Sequence, residues 1–358
     1  MKLGIIGLPY SGKTALFEAI TGAHRAAQDH TASTHMATIA VPDARLNLLA
    51  ERSSPKKVTP AYIDFVDVPG VAADQRRDHV VGVLSALREV DGLVHVVRFF
   101  DWPSAPPHPR GSLDPRRDAR EIADELIVAD LDIVERRIER LEKQVLKPTP
   151  HQDQDRKELA VLKPIKANLE EGQHISAMGL SSEDARLLRA YRFLSEMPML
   201  QVLNVHEDEL QSEAVTQAAE SLGDNTIVIG AKIEKEIGEL DPEERQEFLD
   251  ALGVTEPASQ RVILASYEVL GLRSFFTGTE ADEELRAWTV HAGDNALMAA
   301  GKIHTDMARG FIRAEVASWE DVKECGSLKD ARAKGKARLE GKEYIVQDGD
   351  VIKFRFNV

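Results

Sequence analysis

The eight residues Gly7-Leu8-Pro9-Tyr10-Ser11-Gly12-Lys13-Thr14 constrain this chain more than any other feature. They satisfy G-x-x-x-x-G-K-[ST] at every fixed position, directly after the apolar run 2–7 and before the helical stretch Ala15–Thr21. Such a loop must leave a buried strand and open a helix. Only then do its backbone N–H groups converge on an anion that also faces the positive helix end. Pro9, Tyr10, Ser11, Gly12, Lys13, Thr14 and Ala15 would line a triphosphate. The Lys13 ammonium would reach its β- and γ-phosphates, and the Thr14 hydroxyl would ligate Mg²⁺.

Short apolar runs at 2–7, Ile63–Val68, Leu93–Arg98, Leu200–Asn204 and Thr226–Gly230 predict strands, with helical patterns between several of them. That alternation makes an α/β domain with a parallel sheet. A long insertion interrupts it. Ile127, Leu131, Val134, Ile138, Leu141 and Val145 step by four and three, a heptad seam ended by Lys147-Pro148. A second helix is expected over 155–171, restarted or kinked at Pro164, and a third over 182–197. Together they predict an antiparallel helical coiled-coil arm whose seam packs within its own hairpin, leaving a monomer. Asp241-Pro242-Glu243-Glu244 reads as a helix start. Beyond Gly271 the texture becomes α+β, with strands expected at Trp288–Val290, Phe311–Val316, Glu343–Val346 and Val351–Phe356. The domain reading is therefore 1–118 with 197–272 for nucleotide binding, 119–196 for the arm, and 273–358 for a C-terminal module.

Asp67-Val68-Pro69-Gly70 closes the strand that begins at Ile63. A D-x-x-G there suits an Asp67 linked to Mg²⁺ and a Gly70 N–H offered to the γ-phosphate. Thr31 is the candidate switch threonine that closes on the metal. The base is read after the next strand. A guanine switch would carry N-K-x-D there; this chain has Asn204-Val205-His206-Glu207. A carboxylate suits the two donors of guanine and repels the acceptor that adenine presents, whereas the Asn204 carboxamide can pair with the N6/N7 edge of adenine. The reading leans to ATP. Gly230, Ala231 and Lys232 would form the second wall of the base pocket.

Composition narrows the partners. The formal charge is −15, so the chain will not coat nucleic acid nonspecifically; RNA contact would need a local patch. Lys329, Arg332, Lys334, Lys336, Arg338 and Lys342 form a basic stretch that could face RNA, with a solvated helix face as the alternative. No apolar run reaches a membrane span, and the opening residues do not fit a secretory signal. A single cysteine, Cys325, excludes an intrachain disulfide and makes a reducing, cytoplasmic setting the default.

Several of these segments resemble the YchF family, Obg-related P-loop ATPases. They are GLP-x-x-GK-[ST]-x-LF at 7–17, VPD-x-RL at 41–46, REVDGLVHVVR at 88–98, N-x-x-E at 204–207 and AK-x-E-x-EI at 231–237. The C-terminal run LRAWTVHAGDNALMAAGKIHTDMARGFIRAEV and the final LEGKEYIVQDGDVIKFRFNV extend the resemblance over almost the whole chain. It implies a Ras-like P-loop nucleoside triphosphatase domain, an inserted helical arm and a C-terminal TGS-like β-grasp domain. It also implies ATP hydrolysis and ribosome binding linked to translation or stress. Three departures stand out. Tyr10 replaces an Asn that helps hold potassium in related switches, which argues against K⁺ activation. The second switch, VAADQRRDHVVG, is about two residues shorter than the family's and nearly without glycine. Phe99 replaces a cysteine.

A water-orienting Gln would directly follow D-x-x-G in a Ras-like switch, and Val71 stands there. The resemblance offers His108 instead, in the loop 103–109 that holds four prolines. A rigid surface turn with a solvated His108 is the competing expectation. His79 is a lesser candidate, and His30 and His35 read as loop residues. Three functions follow: a slow Mg²⁺-dependent ATPase switching on the ribosome, a nucleotide-gated ribosome or RNA adaptor with negligible turnover, or a GTPase.

Overall fold

The computed structural model describes residues 1–22, 35–70, 77–102, 105–252, 254, 256–280 and 284–357. In chain order they form β1 (Lys2–Ile6), α1 (Lys13–Thr21), β2 (His35–Ala40), α2 (Ala44–Ser53), β3 (Lys57–Thr59), β4 (Tyr62–Asp67), α3 (Arg77–Leu87) and β5 (Gly92–Phe99). There follow α4 (Pro115–Gln144), α5 (Gln152–Glu170), α6 (Ser182–Leu188), β6 (Met199–Val205), α7 (Glu213–Leu222), β7 (Ile227–Ile229), α8 (Ala231–Glu239), α9 (Pro242–Leu252) and α10 (Ala258–Val269). The C-terminal part adds β8 (Leu272–Thr277), β9 (Glu284–His291), α11 (Ala296–Ile303), α12 (Thr305–Arg309), β10 (Phe311–Ser318), α13 (Trp319–Cys325), α14 (Leu328–Ala333), β11 (Arg338–Glu340) and β12 (Asp350–Phe356).

The described residues divide into two compact units. The first comprises Met1–Ala37 and Asp64–Val262. Its sheet has the order β2-β4-β1-β5-β6-β7, and the pairs β4–β1, β1–β5, β5–β6 and β6–β7 are all parallel. All five strands expected from apolar runs are present. β5 is buried from Gly92 to Arg98, as a central parallel strand covered on both faces must be. The C-terminal ends of β1, β4, β5, β6 and β7 feed the loops that carry the motifs. Ligand chemistry gathers at that edge of a parallel sheet.

Helix α4 begins at Pro115, four residues before the expected start of the arm, and Asp114 caps it by accepting from Arg117 N–H at 3.0 Å. Val134, Ile138 and Leu141 of α4 bury against Leu162, Ile165 and Leu169 of α5, so the seam closes within the hairpin. Lys166–Glu135 and Lys163–Glu142 bridge the two helices at 2.8 and 3.2 Å. Helix α5 runs through Pro164 without ending. The proline removes one backbone hydrogen bond, but the buried row on either side of it holds the helix together. The third arm helix stops at Leu188, and 3₁₀ turns at Arg189–Tyr191 and Leu194–Glu196 replace the expected longer helix. There Tyr191 stacks on Phe193 and hydrogen-bonds Glu158, which also accepts from Arg137 at 2.7 and 2.8 Å.

At the base of the arm, Asp130 is fully buried. It accepts from Leu194 N, Ser195 N and Ser195 Oγ at 3.1, 2.7 and 2.8 Å, and Arg88 lies 2.9 Å away. A buried carboxylate with four donors is compensated; with fewer it would be costly.

The second unit comprises Thr38–Ile63 and Ile263–Val358. Its sheet order is β11-β10-β12-β8-β9-β3, with β12 parallel to β8 and antiparallel hairpin-type pairs on either side. This central parallel pair with α11 between the two halves is the β-grasp arrangement. Two points differ from the sequence expectation. Residues 38–63 group with this unit: β3 pairs with β9, and Arg45 binds Asp348 at 2.7 Å while lying 5.5 Å over the Phe276 ring. The strand opposite β10 is β11 at Arg338–Glu340; the run 343–346 is a turn with one bridge from Ile345 to Asn295. Val346 is buried there, its backbone N–H donating to Asp294 O at 3.0 Å.

Candidate functional site

The phosphate loop is built as its motif requires. Gly12 has φ +94°, and a Cβ there would meet Asn204 Nδ2 at 2.0 Å, so only glycine fits. Tyr10 also adopts a left-handed conformation, φ 63°, and is 59% exposed. A left-handed tyrosine costs roughly 1 kcal/mol, which an Asn at this place would largely avoid. Ser11 is buried, and its hydroxyl lacks a protein partner.

Lys13 is 7% exposed, and its Nζ donates to Leu8 O at 2.9 Å and Gly7 O at 3.3 Å. Burial lowers its pKa to about 8, against the opposing pull of Asp67. The ammonium is thus folded onto the loop carbonyls and poorly satisfied, ready to exchange them for phosphate oxygens. A Cβ on Gly70 would lie 3.0 Å from Lys13 Nζ and from Pro9 N, so the D-x-x-G backbone borders the same cradle.

Thr14 Oγ1 donates to Asp67 Oδ2 at 2.9 Å across 53 residues of sequence. Burial raises the Asp67 pKa, partly offset by the Thr14 hydrogen bond and by Lys13. Its other oxygen, Oδ1, is buried without a partner. A hydroxyl beside a buried carboxylate with one free oxygen fits a hard divalent cation such as Mg²⁺. Thr31 and Val71 lie outside the described residues, as does the His79 side chain.

Beside the loop lies a cavity of about 310 Å³. Gly12, Ala15, Asn204, Val205, Glu207, Gly230 and Lys232 line it, together with five residues that sequence reasoning did not assign to a site: Phe100, Trp102, Ala105, His206 and Ile233. Trp102 stacks on His206 at 4.4 Å between ring centroids, and Lys232 Nζ sits 4.7 Å from the Trp102 ring centre. An apolar, aromatic-walled cavity with a few polar groups suits a purine. Ala231 is buried just behind that wall.

Asn204 is placed differently from the sequence expectation. Its Nδ2 donates to Ser11 O and its Oδ1 accepts from Ala231 N–H, each at 3.0 Å, and the side chain is 4% exposed. The carboxamide ties the phosphate loop to the start of α8. Each of its two polar atoms thus already carries one bond to backbone, while the residue also lines the cavity. The cause is a tertiary meeting of three loops that no local pattern reports.

His108 is not a solvated surface histidine. Its side chain is 5% exposed, and Nε2 lies 2.9 Å from Asp118 Oδ2, at ion-pair distance but not aligned as a hydrogen bond. Nδ1 accepts from Arg110 N–H at 3.1 Å. The ring borders a crevice shared with Pro9 and Ser11. Arg98, 2% exposed, holds the loop by donating to Phe100 O and Pro106 O at 3.0 and 2.9 Å.

The basic stretch of the second unit is partly neutralised. Lys336 pairs with Asp321 and Glu324 at 3.1 and 2.6 Å, Arg332 with Glu315 at 3.6 Å and Arg338 with Glu340 at 3.5 Å. Lys329, Lys334 and Lys342 are exposed. Among the described residues, no group of three His, Cys, Asp or Glu could hold a metal, and no helix is long and apolar enough to cross a membrane.

Comparison with known proteins agrees with this architecture. A family model described as "50S ribosome-binding GTPase" matches residues 2–148, and the C-terminal YchF-GTPase model, described as a protein of unknown function, matches residues 272–357. The chain is 41% identical to the "Ribosome-binding ATPase YchF" of Haemophilus influenzae, over 100% of this chain and 99% of that protein. It is also 41% identical to the protein of that name from Bacillus subtilis, over 100% of both. The solved structure of the Schizosaccharomyces pombe YchF GTPase superposes with a TM-score of 0.83 at 27% identity, covering 99% of this chain and 97% of that one. With full-length identity of this order and both terminal regions matched, the chain belongs to the YchF family.

Proposed function

We propose that this protein is a Mg²⁺-dependent nucleoside triphosphatase that takes ATP in preference to GTP, turns over slowly on its own, and acts as a nucleotide-controlled switch on the ribosome. One observation carries the reading: Lys13, Thr14, Asp67 and Gly70 converge at the mouth of the phosphate loop, next to the aromatic cavity. Thr14 and Asp67 would hold Mg²⁺, which when bound neutralises phosphate charge. Lys13 would pair with the β- and γ-phosphates, with loop amides 9–15 and Gly70 N–H completing the cradle. His108 would orient the water that attacks the γ-phosphorus, giving ADP and inorganic phosphate.

The ATP preference is supported by the names of the relatives and by the lack of a complete N-K-x-D motif, whose lysine has no counterpart at Val205 or His206. Ribosome association is supported by the same names and by the family model over residues 2–148. Lys329, Lys334 and Lys342 are then the cations available for rRNA, with Arg332, Lys336 and Arg338 held by acidic neighbours. Parallel titration of fluorescent ATP and GTP, followed by turnover with purified 70S ribosomes, tests the proposal. Tighter GTP binding overturns the base assignment. A second reading, an adaptor with negligible hydrolysis, draws on the burial of the His108 side chain, with Nδ1 accepting from Arg110 N–H and Nε2 2.9 Å from Asp118 Oδ2; ATP binding without turnover in the presence of ribosomes would favour it.

A further inference from the structure

His108 and Asp118 form a buried pair whose side chains are 5% and 3% exposed. Nδ1 of the imidazole accepts from Arg110 N–H, so its lone pair is taken and the ring proton sits on Nε2, facing Asp118 Oδ2 at 2.9 Å. A residue that orients water must offer a lone pair within about 2.6–3.2 Å of it. Here neither nitrogen does, and the crevice that the pair shares with Leu8, Pro9, Ser11 and Arg98 has a volume of about 0 Å³ for water. Asp118 is itself clamped: Arg117 Nε and a terminal guanidinium nitrogen donate to its Oδ1 at 2.9 and 2.8 Å.

Asp118 stands in the first turn of α4, the helix that also builds the arm. Twelve residues further along, roughly 18 Å of helix, Asp130 is locked to Arg88 and to the returning chain at Leu194 and Ser195. A continuous helix moves as a body, so a shift of the arm carries Asp118 with it.

We infer that Asp118 is a positioning residue that holds His108 away from the hydrolytic water, so that turnover requires α4 to release the ring. This rests on the reading of His108 given above. It gives the arm a direct route to the chemistry: whatever binds the arm and displaces α4 shifts the population towards free His108.

The test uses the full chain and steady-state ATP hydrolysis. Asp118→Asn keeps the volume and removes the charge that faces the ring. The rate constant kcat rises about tenfold, the worth of one charged contact, while KM is unchanged. His108→Ala lowers kcat, and adding Asp118→Asn to it changes nothing further. Arg117→Ala, at a side chain 32% exposed, loosens Asp118 and raises kcat in the same direction by less. Wild-type or lower turnover in Asp118→Asn, with His108→Ala impaired, overturns the inference and leaves the role of His108 standing. An equal rise in both backgrounds overturns it too. If His108→Ala turns over normally, the role of His108 falls and the inference falls with it. Should Asp118→Asn fail to show a cooperative thermal transition, Arg117→Ala decides alone, and no rise there is a refutation.

Discussion

Replacing Asn204 by Ala separates bracing from base reading. The carboxamide makes two buried hydrogen bonds of 3.0 Å, one to the phosphate loop and one to the start of α8. Each is worth about 1 kcal/mol net, and truncation leaves the Ser11 carbonyl and the Ala231 N–H buried and unsatisfied. A loss of about 2 kcal/mol in the ordering of the loop is roughly a 30-fold rise in Kd. Because the group is spent on backbone, the loss is the same for ATP, for GTP and for inorganic triphosphate. Asn204→Asp retains the acceptor for Ala231 and sets a carboxylate against the Ser11 carbonyl, so it binds no better than Asn204→Ala. Fluorescent-nucleotide titration with Mg²⁺, alongside thermal unfolding to confirm the fold, gives the answer. A change below about threefold, or a loss confined to ATP, refutes the bracing argument.

Three further outcomes follow from the same geometry. Trp102→Ala removes one wall of the cavity and weakens ATP by roughly 1–2 kcal/mol, about tenfold in Kd, while leaving triphosphate binding unchanged; equal losses for both would place the base elsewhere. Burial holds Lys13 near a pKa of about 8, and only its ammonium pairs with phosphate. Affinity therefore falls as pH rises above about 8, by up to about tenfold per unit, and binding at that pH takes up protons, measurable by calorimetry in two buffers; a flat profile up to about pH 10 contradicts this. Asp130→Ala strands the Arg88 guanidinium and costs about 3–5 kcal/mol, so the first unit melts on the order of 10 °C lower by circular dichroism, and a change under about 2 °C refutes the joint.

The legible parts of this protein are those whose cause is local. The phosphate loop, its flanking strand and helix, and the heptad seam each rest on a spacing confined to a few turns of chain. The Thr14–Asp67 pairing was inferable because both motifs end adjacent strands of one sheet. What escaped depends on distant meetings. Trp102 and His206 sit after different strands and become partners only because β5 and β6 pair in register from Leu93–Met199 to Phe99–Val205. The aromatic run Phe99-Phe100-Asp101-Trp102 at a strand end was the available signal, since aromatics beside a phosphate loop suit a base. Asn204 was assigned to the base from its position, and only the backbone around it reveals that its amide is already used. Residues 38–63 were read with the nucleotide-binding domain, whereas β3, three residues long, pairs with β9, more than two hundred positions away. His108 allowed two readings, a water-orienting base or a surface residue among prolines; Arg98, buried and invisible to pattern, folds that loop inward.

The most direct measurement is a crystal structure of the full chain with Mg²⁺ and a non-hydrolysable ATP analogue. The account predicts that Lys13 Nζ leaves the Gly7 and Leu8 carbonyls for phosphate oxygens, that Thr14 and Asp67 turn from each other to the metal, and that the adenine lies against Trp102. A triphosphate bound elsewhere, with Lys13 still on those carbonyls and Thr14 still on Asp67, would contradict it.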